Sequence, residues 1–256
     1  MNTTLKSTVK QVIRATGFDI VRFPPAEATP SFPLDFTDQD VDLYNKVRPY
    51  TLGEPIAVQM TANAVRYLVN GGIPGAIVEC GVWRGGMMMA AAYTLLELGD
   101  TSRDIFLYDT FEGMPEPTEA DVNFWGEPPF EATEGGRSVG AKSLEASLED
   151  VRSALFSVGY PRNKIHFIKG CIEQTVPRIA PEKISFLRLD TCFYESTHHE
   201  LIHFFPRLSS LGVLHIDDYG LWQGCRQAVN EFVDEARLNL FFVRIGRHGA
   251  RVALKV

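Results

Sequence analysis

Three aspartates follow two of the predicted strands, where their carboxylates can act together. Asp190 ends the predicted fourth strand, and Asp217 and Asp218 end the fifth. The carboxyl ends of parallel strands form the ligand-binding edge of an open sheet. Three carboxylates there repel one another unless a cation neutralises them. Oxygen ligands suit Mg²⁺, Mn²⁺ or Ca²⁺, so the pattern predicts a divalent metal site, with Mg²⁺ or Mn²⁺ as the expected ion.

The same residues allow an interpretation without a metal. Asp217 could cap the helix that follows it, and Asp190 could pair with Arg188 or Arg226. Either arrangement would satisfy a carboxylate without an ion. We favour the metal because the spacing brings all three aspartates to one edge of the sheet.

A glycine-containing turn follows the first predicted strand, in the sequence Glu-Cys-Gly-Val-Trp-Arg-Gly-Gly at residues 79–86. Glycines at a strand-to-helix turn let backbone N–H groups approach a ligand, and a helix N-terminus favours anionic groups. The spacing of Gly81 and Gly85 differs from the dinucleotide pattern G-x-G-x-x-G. Taken alone, the turn fits a nucleotide-like cofactor and a purely structural role equally well.

Asp109 ends the second predicted strand, which is where a Rossmann-like sheet presents a carboxylate to ribose hydroxyls. The alternative for Asp109 is a helix cap. A glycine turn after one strand and an acid after the next favour a cofactor site over either feature alone.

These residues require a sheet whose strands alternate with helices. Apolar runs and their lengths predict strands at residues 76–80, 105–108, 165–168, 184–189 and 213–216, and helices at 56–68, 86–98, 144–158, 173–179, 198–208 and 223–236. Such alternation requires crossover connections and therefore a largely parallel sheet. Two further apolar runs, 240–245 and 250–256, flank a Gly-Arg-His-Gly turn and predict a terminal hairpin at one edge.

The fold class is therefore α/β, with the Rossmann-like architecture of class I methyltransferases: a mainly parallel seven-stranded sheet with a C-terminal antiparallel hairpin. A dication beside a methyl donor would lower the pKa of an acceptor hydroxyl and orient its oxygen for methyl transfer.

The first 70 residues are predicted to form an N-terminal helical extension and arm, and residues 71–256 the methyltransferase domain. Residues 5–14 form an amphipathic pattern, which we interpret as a docked helix rather than a membrane-surface helix. Residues 23–40 contain four prolines and predict an irregular arm.

Composition excludes several classes of protein. The chain of 256 residues is 45% hydrophobic and 22% charged, as in ordinary globular proteins, and its net charge of -7 argues against nucleic acid as a partner. The four cysteines lack CxxC spacing, and neither a signal peptide nor a transmembrane run is recognisable. We expect a cytoplasmic protein that forms a homo-oligomer and has no membrane partner.

The chain resembles the macrocin-type O-methyltransferases, which depend on S-adenosylmethionine and methylate sugars of macrolides and related natural products. The resemblance spans most of the chain, and its specific portions are residues 50–52, 78–86, 109–115, 187–191, 194–197 and 216–220. It implies S-adenosylmethionine and a divalent metal as cofactors, with Asp190, Asp217 and Asp218 as metal ligands. It also implies a small-molecule hydroxyl acceptor and a mobile lid over residues 113–142. The expected cofactor-binding residues are Thr51, Leu52, Glu79, Gly81, Val82, Trp83, Arg84, Gly85, Asp109, Thr110, Phe111 and Ser138.

One position departs from the family pattern. The family has a second aspartate two residues after the first, proposed as the general base, whereas this chain has Cys192. A thiolate could accept a proton if a cation lowered the thiol pKa. His198, His199 and His215 are nearby in sequence as substitutes. The expected function is metal-dependent O-methylation of a sugar or other hydroxyl of a secondary metabolite. The alternative is a protein that binds the cofactor without turnover because the base is missing.

Overall fold

The computed structural model describes residues 32–115, 118, 121–127, 133–134, 137–138 and 145–256. The compact unit that carries the sheet runs from Phe36 to Val256, and the preceding unit is Met1–Asp35. The predicted N-terminal amphipathic helix and most of the proline arm lie outside the described residues, as does much of the predicted lid.

Two helices precede the sheet within the compact unit. Helix α1 spans Asp38–Val47 and α2 spans Pro55–Asn70, with a 3₁₀ turn at Arg48–Tyr50 between them. Thr37 caps α1 through a reciprocal pair of hydrogen bonds with Asp40. Helix α2 buries Val58, Ala62, Val65 and Leu68. The two helices lie in the same compact unit as the sheet. The boundary at residue 70 stays a prediction.

The strands and helices of the sheet follow in the predicted alternation. They are β1 (Ala76–Cys80), α3 (Gly86–Glu97), β2 (Ile105–Asp109), β3 (Thr133–Glu134), β4 (Arg137–Ser138), α4 (Leu148–Ser157), β5 (Ile165–Lys169), α5 (Ile172–Thr175), β6 (Ile184–Leu189), α6 (Tyr194–Phe204), β7 (Leu208–Ile216), α7 (Gln223–Glu235), β8 (Val243–Ile245) and β9 (Ala250–Leu254).

The main sheet has seven strands in the order β5-β2-β1-β6-β7-β9-β8. Strands β5, β2, β1, β6 and β7 are parallel, whereas β9 pairs antiparallel with both β7 and β8. Strands β3 and β4 form a separate two-stranded ribbon. The predicted Rossmann-like fold and terminal hairpin are confirmed. The chain order reverses between β1 and β6, so the switch point where ligands bind in such sheets lies between these strands.

Two elements begin earlier than the sequence pattern indicates. Helix α6 starts at Tyr194 rather than residue 198, and its N-cap, Phe193, makes no side-chain capping bond. A polar first turn without a cap gives no recognisable start signal. Strand β7 starts at Leu208 rather than 213, and Leu211 within it has φ +62°. Two serines, a glycine and this irregular residue interrupt the apolar alternation.

Each face of the sheet is covered by helices. One apolar cluster joins the sheet to α1–α4, and a second joins the opposite face to α5–α7. Burial on both faces leaves the strand ends as the exposed, ligand-accessible part of the sheet. Within the described part of the chain, no helix combines the length and apolar character needed to span a membrane.

Candidate active site

A cavity of about 330 Å³ lies at the carboxyl ends of β1, β2, β6 and β7. This volume is at the lower end of the range of small-molecule sites. Most of the predicted site residues line it: Thr51, Leu52, Glu79, Gly81, Val82, Trp83, Asp109, Thr110, Asp190, Cys192, Asp217 and Asp218. The fold therefore brings the glycine turn and the acidic cluster to one cavity, although they are more than 100 residues apart.

The turn after β1 is a site where only glycine fits. Gly81 has φ +78°, and a Cβ at this position would overlap the backbone carbonyl of Asp190. The backbone of β1 therefore approaches the end of β6 closely, and Asp190 N–H donates to the Cys80 carbonyl at 2.9 Å. Gly85, with φ +85°, is the N-cap of α3. The turn thus directs the N-terminus of α3 toward the cavity.

Asp109 organises this turn from the neighbouring strand. Its Oδ2 accepts the backbone N–H groups of Val82 at 2.7 Å and Trp83 at 3.1 Å. Its Oδ1 accepts the Phe111 N–H at 2.7 Å. The Thr110 hydroxyl lies 3.4 Å from the same oxygen. The carboxylate predicted to meet a ribose therefore also holds the glycine turn in shape.

A row of polar side chains crosses three adjacent strands beneath the acidic cluster. Glu79 on β1 pairs in register with Arg188 on β6, which pairs with His215 on β7. All three are at most 2% exposed. Since residues i and i+2 of a strand share a face, Asp190 and Asp217 project from the same face as Arg188 and His215.

Arg188 joins three carboxylates. Its Nη1 donates to Glu79 Oε1 at 2.7 Å and to Asp190 Oδ2 at 2.6 Å, and its Nη2 lies 2.7 Å from Asp217 Oδ1. Burial raises the pKa of Glu79 to about 8, against the effect of the guanidinium. Burial also opposes ionisation of Asp217, but Arg188 and His215 outweigh it and hold its pKa below the usual range. The ion pair with Arg188 considered from the sequence is therefore present.

The carboxylates of three aspartates converge beside Arg188. One carboxylate oxygen of each aspartate, Asp190, Asp217 and Asp218, lies within 4.8 Å of those of the other two. Burial raises the pKa of Asp218 well above its ordinary value, and the charges of Asp190 and Asp217 raise it further. Arg188 contacts Asp190 and Asp217 but has no ion pair with Asp218. The oxygen-only donor set of the three aspartates fits a hard dication.

Cys192 lines the same cavity, as predicted, but not because the strand continues. It has φ +68°, so the chain has left extended geometry. Its backbone N–H donates to Asp218 Oδ2 at 3.0 Å, which fixes the turn beside the cluster. Burial raises the pKa of the thiol well above its ordinary value, and the Asp218 and Asp190 carboxylates raise it further. At neutral pH the thiol is therefore protonated and is a weak base.

Five predicted site residues lie outside the cavity lining, and the side chain of a sixth, Ser138, is not among the described residues. The Arg84 guanidinium donates to the Pro49 carbonyl at 2.8 Å. Gly85 and Phe111 shape the two turns without facing the cavity. His199 Nε2 donates to the Val176 carbonyl at 3.0 Å, and His198 stacks on Tyr194 with ring centroids 5.5 Å apart. Ser138 lies in β4, and its side chain is outside the described residues.

The two histidines are directed away from the acidic cluster by the geometry of α6. The helix places Ser196 at the cavity, whereas the next turn of the polar face carries His198 and His199 elsewhere. Sequence proximity to Cys192 is therefore a poor guide to their position.

Several cavity residues could not be found from sequence. Leu221 and Trp222 precede α7, and Glu173 lies on α5, whereas Asn123 and Trp125 lie in the segment predicted as a lid. The residues before α7 and on α5 belong to no local motif. Their convergence depends on the order of the strands, so no pattern within one segment could reveal it.

The family is established by sequence comparison. A family model described as Macrocin-O-methyltransferase (TylF) matches residues 50–251. The chain belongs to this family. It is 34% identical over 168 residues to the 8-demethyl-8-(2,3-dimethoxy-alpha-L-rhamnosyl)-tetracenomycin-C 4'-O-methyltransferase of Streptomyces olivaceus, which covers 66% of this chain and 61% of that protein. It is 31% identical over 188 residues to the Mycinamicin III 3''-O-methyltransferase of Micromonospora griseorubida, which covers 73% and 71%. The match to the first relative thus spans about three fifths of its length.

Comparison with solved structures supports the same fold. The O-methyltransferase NovP superimposes with a TM-score of 0.70 at 24% identity, covering 81% of this chain and 82% of NovP. At this identity the similarity establishes the architecture. The family member described here thus combines the methyltransferase sheet with an acidic cluster and a cysteine at its carboxyl edge.

Proposed function

We propose that this protein transfers a methyl group from S-adenosylmethionine to a hydroxyl of a small-molecule acceptor, a sugar or other hydroxyl of a secondary metabolite. Family membership supports the reaction class. The observation that carries the proposal is the single cavity that joins the glycine turn to the acidic cluster. A methyl donor and a hydroxyl acceptor must meet in one cavity for direct transfer.

The glycine turn and the segment before α2 are suited to hold the cofactor. Thr51 and Leu52 face the turn across the cavity, and the indole of Trp83 lines it, with a buried Nε1 that has no partner among the described residues. Asp109 lines the same cavity, where its carboxylate can meet a ribose hydroxyl. S-adenosylmethionine supplies the electrophilic methyl group, so the protein's contribution is to position the two reactants and exclude water.

We further propose that Asp190, Asp217 and Asp218 hold Mg²⁺ or Mn²⁺. Such an ion, when bound, supplies a Lewis acid that lowers the pKa of the acceptor hydroxyl. Arg188 keeps Asp190 and Asp217 in place by binding one oxygen of each. Cys192 occupies the position where the family has an aspartate, and its protonated thiol contributes little as a base.

The experiment combines cofactor binding with methyl transfer. Calorimetry should detect S-adenosylhomocysteine binding, and candidate glycosides incubated with S-adenosylmethionine should gain about 14 Da in a mass spectrum. In Asp218→Asn we expect a loss of about 10²-fold or more in transfer rate, because a charged ligand is removed, while S-adenosylhomocysteine binding is retained. Asp42→Asn, a matched change at an exposed carboxylate of α1, should behave as wild type.

Two outcomes would contradict this proposal. Full activity in EDTA together with full activity of Asp218→Asn would exclude the metal. Tight S-adenosylhomocysteine binding without transfer to any acceptor would favour the alternative of a cofactor-binding module.

A further inference from the structure

A buried carboxylic acid is bonded to the turn that follows the first of the three aspartates. Glu200, on α6, is 0% exposed and does not line the cavity. Its Oε2 accepts a hydrogen bond from the Thr191 hydroxyl at 3.2 Å, whereas its Oε1 has no partner among the described residues. An unpaired buried oxygen costs stability, because it loses its bonds to water on folding. A fold that keeps such a group calls for an explanation of its role.

The surroundings of Glu200 favour its neutral form. Leu201 and Phe204 of the same helix belong to the apolar cluster that covers this face of the sheet. Burial raises the pKa of Glu200 well above its ordinary value, against the effect of the hydrogen bond from Thr191. The carboxyl group is therefore protonated near neutral pH, and a glutamine would reproduce its shape and its acceptor oxygen.

Two strand ends meet at this carboxyl group. Thr191 follows β6 and stands between Asp190 and Cys192. The second neighbour is the thiol of Cys80, at the end of β1: burial raises its pKa well above its ordinary value, and Glu200 raises it further. The Asp190 N–H donates to the Cys80 carbonyl. Glu200 thus lies where the strand that leads into the glycine turn meets the strand that leads into the acidic cluster.

The sheet holds one of these neighbours more firmly than the other. Cys80 is paired with β2 and with β6, so ladder hydrogen bonds fix it from both sides. Thr191 and Cys192 lie outside the strands, and Cys192 has a left-handed φ of +68°. The side-chain bond from Thr191 to Glu200 ties this turn to α6. Loss of the carboxyl group should therefore displace the turn, while β1 keeps its position.

From the burial of Glu200 and its bond to Thr191, we propose that Glu200 is a positioning residue for the proposed metal site. It fixes the turn after β6 and so the direction of the Asp190 and Cys192 side chains. It acts through Thr191 and contacts neither the ion nor the acceptor. This inference rests on the proposed binding of a dication by the three aspartates, and it adds a residue that lies outside the cavity.

The test measures metal affinity and fold stability in the same variants. Protein saturated with S-adenosylhomocysteine is titrated with Mn²⁺, and the free ion is measured by electron paramagnetic resonance. Glu200→Met should weaken Mn²⁺ binding by about 10–100-fold, the usual effect of removing a group that supports a metal ligand. Its melting temperature in EDTA should equal or exceed that of wild type, because an apolar side chain replaces a carboxyl group with an unpaired oxygen. A residue with a purely structural role would lower that temperature instead.

Three further variants assign the effect to the bond with Thr191. Glu200→Gln keeps an acceptor for the hydroxyl and should retain most of the Mn²⁺ affinity. Thr191→Val removes the hydroxyl and should cause the same loss as Glu200→Met. The double variant should lose no more than either single variant, since both remove one bond. Thr94→Val is the matched control, because it removes a buried hydroxyl that bonds to Ala90 on α3, outside the cavity lining. It should bind Mn²⁺ as wild type.

Several outcomes would overturn the positioning role and leave the metal site in place. They are wild-type Mn²⁺ affinity in Glu200→Met or in Thr191→Val, losses that add in the double variant, and a loss of affinity in Glu200→Met that comes with a lower melting temperature.

The affinity for S-adenosylhomocysteine is the second readout. It should stay that of wild type in every variant, because β1 remains paired on both sides. A matching loss of S-adenosylhomocysteine affinity would show that Glu200 supports the glycine turn instead, and the inference would be wrong. Failure of wild type to bind Mn²⁺ would refute the proposed metal site and this inference with it.

Discussion

Arg188 shows how one buried side chain can serve two parts of a site. It is bound to Glu79 beside the glycine turn and to Asp190 and Asp217 in the acidic cluster. Removal of a partner from a buried ion pair leaves an uncompensated charge, which costs more than the pair contributes. The ion pair and the metal, which are competing interpretations at the level of sequence, are compatible in the structure because each carboxylate has two oxygens.

The replacement of the family's second aspartate by Cys192 can be tested directly. Cys192→Asp should raise the transfer rate, by up to about 10²–10⁴-fold if it restores a general base. Aspartate also tolerates the left-handed backbone at this position. Cys192→Ser, which removes the thiol without adding charge, should leave the rate close to that of wild type, because a protonated thiol is a weak base. Single-turnover rates with excess metal would measure both.

The added carboxylate should also lower the stability of the fold, and the melting temperature measures this effect. Cys192→Asp places a further negative charge beside Asp190 and Asp218, so its melting temperature should fall in EDTA and recover with Mg²⁺ more than that of wild type. A large loss of activity in Cys192→Ser would show that the thiol itself takes part, and the weak-base interpretation would then be wrong.

Among the elements, α1 depends on its cap. Thr37 and Asp40 bond reciprocally, Gln59 Nε2 donates to Asp40 Oδ2 at 3.2 Å, and Arg66 lies 3.8 Å from Asp40. Thr37→Ala should lower the free energy of unfolding by about 1 kcal/mol, the usual size of an N-cap. Ser147→Ala is the matched control. It removes an N-cap of the same kind from α4, a helix distant in sequence from the cofactor segment.

The cap should also depend on pH. Burial opposes ionisation of Asp40, but hydrogen bonds from Thr37 and Gln59 and the charge of Arg66 outweigh it and lower its pKa. A carboxylate with a lowered folded-state pKa contributes stability above its unfolded pKa of about 3.9, and this contribution disappears as pH falls through the folded pKa. The difference between wild type and Asp40→Asn in urea melts should therefore be full at pH 6 and shrink below about pH 4. A difference that stays constant down to pH 3 would contradict this assignment.

At the scale of the whole molecule, ligand binding should stabilise the fold because the cavity joins several strand ends. Saturation with S-adenosylhomocysteine at 100 times its dissociation constant adds about 2.7 kcal/mol, which corresponds to a rise of roughly 5–10 °C in the melting temperature for a chain of this size. Asp109→Ala should lower the starting temperature and reduce the rise, since it frees the N–H groups of Val82 and Trp83 and weakens cofactor binding by about 1–3 kcal/mol.

The control for Asp109 is Asp104, at the opposite end of β2. Asp104, just before β2, pairs with His166 and Lys164 and does not line the active cavity. Asp104→Ala should lower the starting temperature, yet its ligand-induced rise should equal that of wild type. An equal rise in Asp109→Ala would remove Asp109 from the cofactor site.

The sequence by itself determined the class of fold and the identity of the acidic residues. Alternating apolar runs predict β1, β2 and β6 almost to the residue, because side-chain periodicity is a local property. They also predict the terminal hairpin, although its strands are two or three residues shorter than the apolar runs. The acidic residues of the site lie at or just after the ends of strands: Asp109, Asp190, Asp217 and Asp218. The same logic failed for α6 and β7, where a helix starts without a cap and an irregular residue interrupts the alternation.

Only the tertiary structure decided how these residues work together. The register of β1, β6 and β7 aligns Glu79, Arg188 and His215 under the cluster, and strand pairing across more than 100 residues has no signature within either strand. The positions of His198 and His199 depend on the rotation of α6 about its axis, and that of Asn123 on a bridge to Trp222. Such contacts arise from packing between distant segments, so residue type and spacing cannot determine them.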